Sequence, residues 1–364
     1  MNRRDLFKGT AAAAAAWQLK AQDTGHATPI RLGFDSYSLR AWNWKAPQFI
    51  EYAAGLKLDS VQLSSLGDFE SLDEAYLTKL RGQAAHLNLK LDGGIGCICP
   101  SSKSWSAKNG TPEEYLSRGI RAAHAIGATA MRCFMGSSAD RRGTVPLEAH
   151  IENTVRELKK VRSLALDLGV KVAVENHSGD MQAWELRNLI EEAGKDFVGA
   201  NLDTGNPMWV VEDPLVTLEI LGPYTVTTHI RDSVVFNHPR GAAAQWVALG
   251  DGVVDFKRFV SRYRELCPKA TMQLENITGR PPQVLPYFEQ EFWRAFPKAR
   301  AAEFARFVEL ARTGHPFMGA MVVEDVGKVS PEYAAALKDQ QRRDLERGFE
   351  YAKNVLGVGV RWRD

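Results

Sequence analysis

From Arg31 onwards the chain repeats one pattern: a short apolar run, then a longer stretch in which apolar residues recur at helical spacing. The short runs read as strands at about 31–38, 59–65, 89–95, 128–135, 170–177, 198–204, 225–232 and 271–277. Helical patterns lie between them, at 47–57, 73–87, 112–126, 147–168, 182–194 and 255–266. A strand, a helix and a second parallel strand make a βα unit, whose sheet is covered on both faces. Eight such units in strict alternation favour a closed (β/α)8 barrel, the TIM barrel of the α/β class, over an open sheet. Gly127, Gly169, Gly194 and Gly222 fall near helix ends, where a left-handed residue stops the turn. Asp255 is placed to cap the helix at 255–266.

A length of 364 residues suits one such barrel with extra loops. Two segments exceed what the barrel requires. Residues 97–111 form a loop after the third strand. Residues 278–330, with Pro281, Pro282, Pro286, Pro297 and Pro316, form an insertion after the eighth strand with a helical stretch near 298–312. Both follow strands, so both are expected over the C-terminal mouth, where barrels of this kind carry their sites. The expected organisation is a leader over 1–28 and a single barrel over 29–364.

The leader opens with Arg3, Arg4, Phe7 and Lys8, then runs through Ala11 to Ala16. A positive start, a short weakly apolar stretch and small residues suited to cleavage describe an export signal. The Arg3-Arg4 pair resembles the twin-arginine signal, which implies the twin-arginine export machinery as a partner and a periplasmic or secreted location. The apolar stretch is far below the roughly 20 residues of a spanning helix, so no membrane span is expected. Lysine and arginine number 46 against 44 aspartates and glutamates, and cleavage near Ala21 would leave 42 against 43. So balanced a charge excludes a strong field for nucleic acid. Cys97, Cys99, Cys133 and Cys267 are too few and too scattered for a disulfide framework, and Cys97 and Cys99, on one strand, read as small buried apolar residues. A homo-oligomer is left open.

Strand side chains alternate faces, so residues two apart share a side. In 171–175, Val172 and Val174 belong to the helix-facing side, which sends Ala173 and Glu175 inward. The same alternation sends Asn201 and Asp203, then Thr227 and His229, then Gln273 and Glu275 inward on the next three strands. Neighbouring strands lie about 4.8 Å apart, so Glu175, Asp203, His229 and Glu275 must converge near one point. Three carboxylates in a low-dielectric mouth repel unless their pKa values rise or a cation neutralises them. An O,O,O,N set suits a divalent ion such as Mn²⁺, Mg²⁺ or Co²⁺, and admits Zn²⁺. Cysteine is absent from the set, which argues against a closed structural zinc site.

At these residues the chain resembles the xylose isomerase-like barrel superfamily, in particular its sugar isomerase/epimerase branch of ketose 3-epimerases and inosose dehydratases. The resemblance spans roughly 30–360 without the insertion. It is carried by Val174-Glu175-Asn176-His177, Asn201-Leu202-Asp203-Thr204-Gly205-Asn206, Thr228-His229-Ile230-Arg231-Asp232, Leu249-Gly250-Asp251-Gly252 and Gln273-Leu274-Glu275-Asn276. It implies that Glu175, Asp203, His229 and Glu275 bind one catalytic divalent metal, often manganese, and that Glu175 and Glu275 are also the acid/base pair. Several epimerases of that branch carry a histidine where this chain has Asn206, which can bond a sugar hydroxyl but cannot take up a proton.

The expected activity is an exported, metal-dependent isomerase or epimerase acting on a sugar or keto-sugar through a metal-stabilised enediolate. The alternative is a lyase or dehydratase on an oxidised (3-keto) sugar or glycoside through the same intermediate. His177, Asn206 and Arg231 are the candidate substrate-binding residues, with a pairing of Arg231 to Asp232 as the competing structural role. Leu249–Gly252 reads as a tight turn rather than a phosphate loop. Trp42, Trp44, Trp105 and Trp209 fall on loops after strands, where rings could stack on a sugar face.

Overall fold

The computed structural model describes residues 29–324, 327 and 329–363. The export and cleavage features of the leader lie outside the described residues. The barrel strands are β1 (Leu32–Asp35), β2 (Ser60–Leu63), β3 (Lys90–Cys97), β4 (Ala130–Phe134), β5 (Lys171–Glu175), β6 (Val198–Asp203) and β7 (Thr225–His229). A hairpin, β8 (Asp232–His238) and β9 (Gly241–Val247), follows before the eighth barrel strand, β10 (Met272–Leu274). The helices are α1 (Ala46–Gly55), α2 (Glu74–His86), α3 (Pro112–Ala125), α4 (Leu147–Lys160), α5 (Arg162–Asp167), α6 (Ala183–Ala193), α7 (Pro214–Leu221), α8 (Phe256–Leu266), α9 (Ala301–Thr313) and α10 (Pro331–Asn354).

Eight parallel strands form one sheet in the order β10-β1-β2-β3-β4-β5-β6-β7. Ile230 draws the two ends together. Its N–H donates to Gln273 O at 2.7 Å and its carbonyl accepts from Glu275 N at 3.0 Å. The result is a nearly closed TIM barrel, as the alternation requires. The apolar side of each strand joins the helices in one core, for example Val172, Val174 and Leu202 with Leu186, Leu189 and Ile190. The interior side is polar and cross-linked: Gln273 Nε2 donates to Ser60 Oγ at 2.7 Å and Thr227 Oγ1 to Asp92 Oδ2 at 3.2 Å. That network forms a floor under the strand ends.

Several local expectations are corrected. The helix expected over 147–168 is divided at Val161 (φ −99°, ψ 7°) into α4 and α5. Gly127, Gly169 and Gly194 do take positive φ, but Gly222 is right-handed at φ −49°. Its role is spatial, since an added Cβ there would meet Leu266 Cβ at 2.7 Å. The expected strand 225–232 ends at His229, and Asp232 starts the antiparallel hairpin. The insertion adds β11 (Gln283–Leu285) to that hairpin as a third strand. The alanine run Ala242–Ala244 in β9 has weak strand preference, which hid the hairpin from the pattern. Cys97 and Cys99 are buried and free, as read, and so are Cys133 and Cys267.

Glu212 ties the start of α6 to the loop before α7. It is buried, accepts from Ala183 N with both oxygens at 3.3 and 3.2 Å, and takes the Thr217 hydroxyl at 2.6 Å. Burial pushes its carboxyl up to about 8 despite those bonds. A group whose folded pKa is raised supports stability while protonated, and that support is lost as pH climbs from the unfolded value through the folded one. Melting temperature is therefore expected to fall between pH 5 and pH 8, with about 2–4 kcal/mol of that loss due to Glu212. Glu212→Gln, which mimics the protonated acid, should flatten that part of the profile in calorimetric scans; equal slopes in both proteins would refute the assignment.

Candidate metal centre

The ends of β5, β6, β7 and β10 bring Glu175, Asp203, His229 and Glu275 together, with one ligand atom of each lying within 4.8 Å of the others. Asp203 and His229 are direct partners across β6 and β7. His229 Nδ1 lies 3.4 Å from Glu175 Oε2, 3.4 Å from Glu275 Oε1 and 4.0 Å from Asp203 Oδ2. That nitrogen has no hydrogen-bond partner among the described residues although it is fully buried. Ligand atoms at about 2.0–2.4 Å from a shared ion lie at most twice that distance apart, so the set fits one divalent cation. The ring's other nitrogen, Nε2, faces Asp35 Oδ2 at 3.4 Å. A carboxylate on that side favours the tautomer protonated on Nε2, which would leave the Nδ1 lone pair for an ion in the cluster.

Local hydrogen bonds fix Asp203. Asn176 clamps Asp203 with two bonds, donating to its carbonyl at 2.9 Å and accepting from its N–H at 2.8 Å. Asp203 Oδ1 accepts from Gly205 N and Asn206 N, both at 2.7 Å, which leaves Oδ2 to face the cluster. Gly205 has no room for a side chain, because an added Cβ would sit 2.5 Å from Arg231 Nε.

Two arginines complete the charge balance. Arg132 Nε donates to Glu175 Oε2 at 2.5 Å, and its guanidinium lies 4.8 Å from the Phe134 ring centre. Arg231 pairs with Asp203 and approaches Glu275 Oε2 at 2.6 Å with its Nη1, without hydrogen-bond alignment. It also lies 4.2 Å over the Trp246 ring. Arg231 thus has no pairing to Asp232, which instead accepts from Gly250, Gly252 and Val254 N–H groups and shapes the turn at Leu249–Gly252. Four buried carboxylates, counting Asp35, stand against two guanidiniums, a surplus of two negative charges with His229 neutral.

Protonation follows that surplus. Burial pushes Asp203 up to about 7; Arg231 offsets part of this, while Glu175 and Glu275 add to it. Burial would lower His229, but Glu275, Glu175 and Asp35 outweigh it and raise the imidazole well above its ordinary value. Glu175 is held well below the usual range because Arg132 and His229 outweigh its burial.

Above the cluster lies a cavity of about 320 Å³ bordered by Glu275, His177, Asn206, Arg231, Trp246 and Arg280. His177 stacks on Phe134 at 3.8 Å, and its Nδ1 lies 2.6 Å from Gly136 O. A carbonyl can only accept, so Nδ1 carries the proton and Nε2 is the acceptor. Asp180 fixes this arrangement by accepting from Gly136 N at 3.1 Å and His177 N at 2.9 Å. Asn206 Nδ2 donates to Glu175 Oε1 at 3.1 Å. Of the four loop tryptophans, Trp44 lies on the rim beyond Tyr37; Trp42 packs against Trp44, Trp105 against Tyr115 and Trp209 against Trp246.

The model of the xylose isomerase-like TIM barrel matches residues 50–268. The chain belongs to that family. No curated protein matches this xylose isomerase-like barrel in sequence. Among solved structures it is similar to D-psicose 3-epimerase in the presence of D-fructose, at 15% identity and a TM-score of 0.58 over 90% of this chain and 100% of that one. The probable 3-DHS dehydratase AsbF of Bacillus anthracis, involved in petrobactin synthesis, gives 14% identity and 0.52 over 67% and 92%. The IOLI protein with a bound zinc atom gives 13% and 0.52 over 78% and 95%. Likeness at this identity is likeness of fold.

Arg132, Asp35, Trp246 and Asp180 join the site although the motifs did not single them out. Arg132 and Asp35 obey the same alternation, since Met131 and Cys133 on β4 and Leu32 and Phe34 on β1 join the apolar core. Trp246 comes from the hairpin and carried no such signal.

Protein purified without added metal is expected to carry close to one divalent ion per chain by elemental analysis, and Asp203→Ala far less. Resupplying the ion at a hundred times its dissociation constant should raise unfolding free energy by about 2.7 kcal/mol. Equal, negligible metal in both proteins would remove the site.

Proposed function

We propose that the protein is a divalent-metal-dependent sugar isomerase or epimerase that moves the proton on a carbon beside the carbonyl of a keto-sugar. The observation that carries this reading is the joining of an O,O,O,N cluster to a polar cavity through Glu275, the ligand that borders it. A divalent ion held there, manganese first and magnesium, cobalt or zinc after it, would supply Lewis acidity toward the substrate's oxygens. The fold shared with a D-psicose 3-epimerase supports the same class.

The chain's own groups divide the work. Glu275 Oε2 has no hydrogen bond among the described residues and is the group placed to take or return a proton at the substrate carbon. Glu175 enters from the other flank of the Asp203–His229 pair, fixed by Arg132 and Asn206, and is the second candidate of the acid/base pair. His177 Nε2 accepts from a substrate hydroxyl, Asn206 adds a further polar contact, and Arg231 steadies a developing negative charge. Glu175→Gln and Glu275→Gln are each expected to lower turnover about 10²–10⁴-fold.

Asn206 favours a second reading. A residue unable to carry a proton leaves the opposite face of the substrate without an extra acid. A single carboxylate can then remove the proton beside the carbonyl and pass it to the departing β-oxygen, which leaves an oxidised sugar or glycoside as water or an alcohol. The fold shared with a dehydratase is in keeping with it. Keto-sugars incubated with the metal-loaded protein in deuterated water decide between the two. Deuterium uptake at unchanged formula is the expected result; loss of water or of an aglycone would replace isomerase by lyase, and neither change would refute both.

We propose further that the Arg3-Arg4 leader directs twin-arginine export to the periplasm or beyond. Replacing both arginines by lysine should retain the protein in the cytoplasm on cell fractionation, and unchanged export would refute that route.

A further inference from the structure

The mouth does not end above the cluster. A second chamber of about 540 Å³ opens between the segments after β1 and β2, backed by Gly96 of β3 and Tyr115 of α3, and it shares Tyr37, Ser64 and Arg132 with the first. The first chamber, at about 320 Å³, lies at the small end of small-molecule sites, which run roughly 300–1,000 Å³. One sugar ring suits it. The second chamber is the larger of the two, and neither Glu175 nor Glu275 lines it.

The side chamber's lining is built for a hydrophilic ring. Trp44 and Tyr37 supply aromatic surface, and Tyr37 is 40% exposed. Asp68 is oriented by the Ser36 hydroxyl at 2.6 Å and by Ser65 N at 3.2 Å; both bonds fall on Oδ2, and Oδ1 takes neither. Lys45 Nζ holds the facing loop through Gly67 O at 2.5 Å. The outer edge joins the two chambers. Glu324, from the insertion, accepts from Arg40 Nε at 3.1 Å and Nη2 at 2.8 Å on the rim of the second chamber. It also lies 3.7 Å from Arg280 on the rim of the first. Arg40 in turn lies 4.9 Å over the Tyr37 ring.

We propose that this mouth takes a carbohydrate of two units, with the reacting keto unit against Glu275 and a second sugar ring in the side chamber against Trp44, Tyr37 and Asp68. This rests on the reading of the mouth as a keto-sugar site. Charged and hydroxyl groups in the lining select a sugar over an apolar aglycone.

The test offers D-fructose and the keto-disaccharides maltulose and lactulose to the metal-loaded full protein in deuterated water. At least one disaccharide should exchange with kcat/KM about tenfold above D-fructose. Gly67→Trp fills the side chamber from an exposed position where an added Cβ meets nothing nearer than Ser65 Oγ at 3.3 Å. It should abolish that advantage and leave the D-fructose value unchanged; Trp44→Ala should act in the same direction. Equal handling of both sugar classes by the wild type, or equal loss of both in Gly67→Trp, overturns the proposal. If no sugar exchanges deuterium, the catalytic reading has failed, and titration calorimetry with maltose and glucose judges the subsite alone. Maltose binding about tenfold tighter than glucose in the wild type but not in Gly67→Trp upholds it; no difference in the wild type refutes it.

Discussion

The arrangement depends on holding four carboxylates, one imidazole and two guanidiniums in a place that water does not reach. Asp35, Glu175, Asp203 and Glu275 are each at most 4% exposed at the strand ends. Isolated buried charges of one sign cost many kcal/mol, so the assembly survives only where partners are built in. Arg132 and Arg231 supply half of the required compensation from inside the barrel, and a divalent ion would supply the rest. Each arginine also lies over an aromatic ring, Phe134 or Trp246, which fixes its plane beside the carboxylate it serves.

Rigidity follows from the same demand. Charges in a low dielectric are stabilised only while geometry is held, and the sequence devotes side chains to holding it. Asn176 clamps Asp203 as a neighbouring strand would, and Asp203 Oδ1 is spent on two backbone N–H groups. Below them, the bonds among Gln273, Ser60, Thr227 and Asp92 form a polar floor that an apolar barrel interior could not provide. The closing contact at Ile230 joins the two strands that carry His229 and Glu275.

How much of this was legible from the residues depends on how local the signal is. The barrel and the convergence of Glu175, Asp203, His229 and Glu275 follow from alternation of period two on parallel strands, a rule that needs no tertiary knowledge. Arg132 and Asp35 lie on β4 and β1 under that same rule, and extending it to every strand would have found them. The hairpin after β7 was hidden because Ala242, Ala243 and Ala244 lack strand preference, and their pairing depends on a partner, β11, some forty residues on. Trp246 was lost with the hairpin. The tautomer of His177 depends on Gly136 O, a contact across 41 residues that no spacing encodes.

The division between core and loops explains how one scaffold can serve several substrates. Everything that holds the charge cluster comes from strand ends or from residues within a few positions of them, where a shift of one register would turn each ligand into the helical shell. Most of what borders the side chamber comes from the segments after β1 and β2, with Arg132 of β4 at the junction, and Glu324 from the insertion holds Arg40 at its rim. Loops tolerate change that the strand ends do not. The charge cluster is thereby fixed by the barrel, while most of the side chamber's border lies on segments that carry none of its four members.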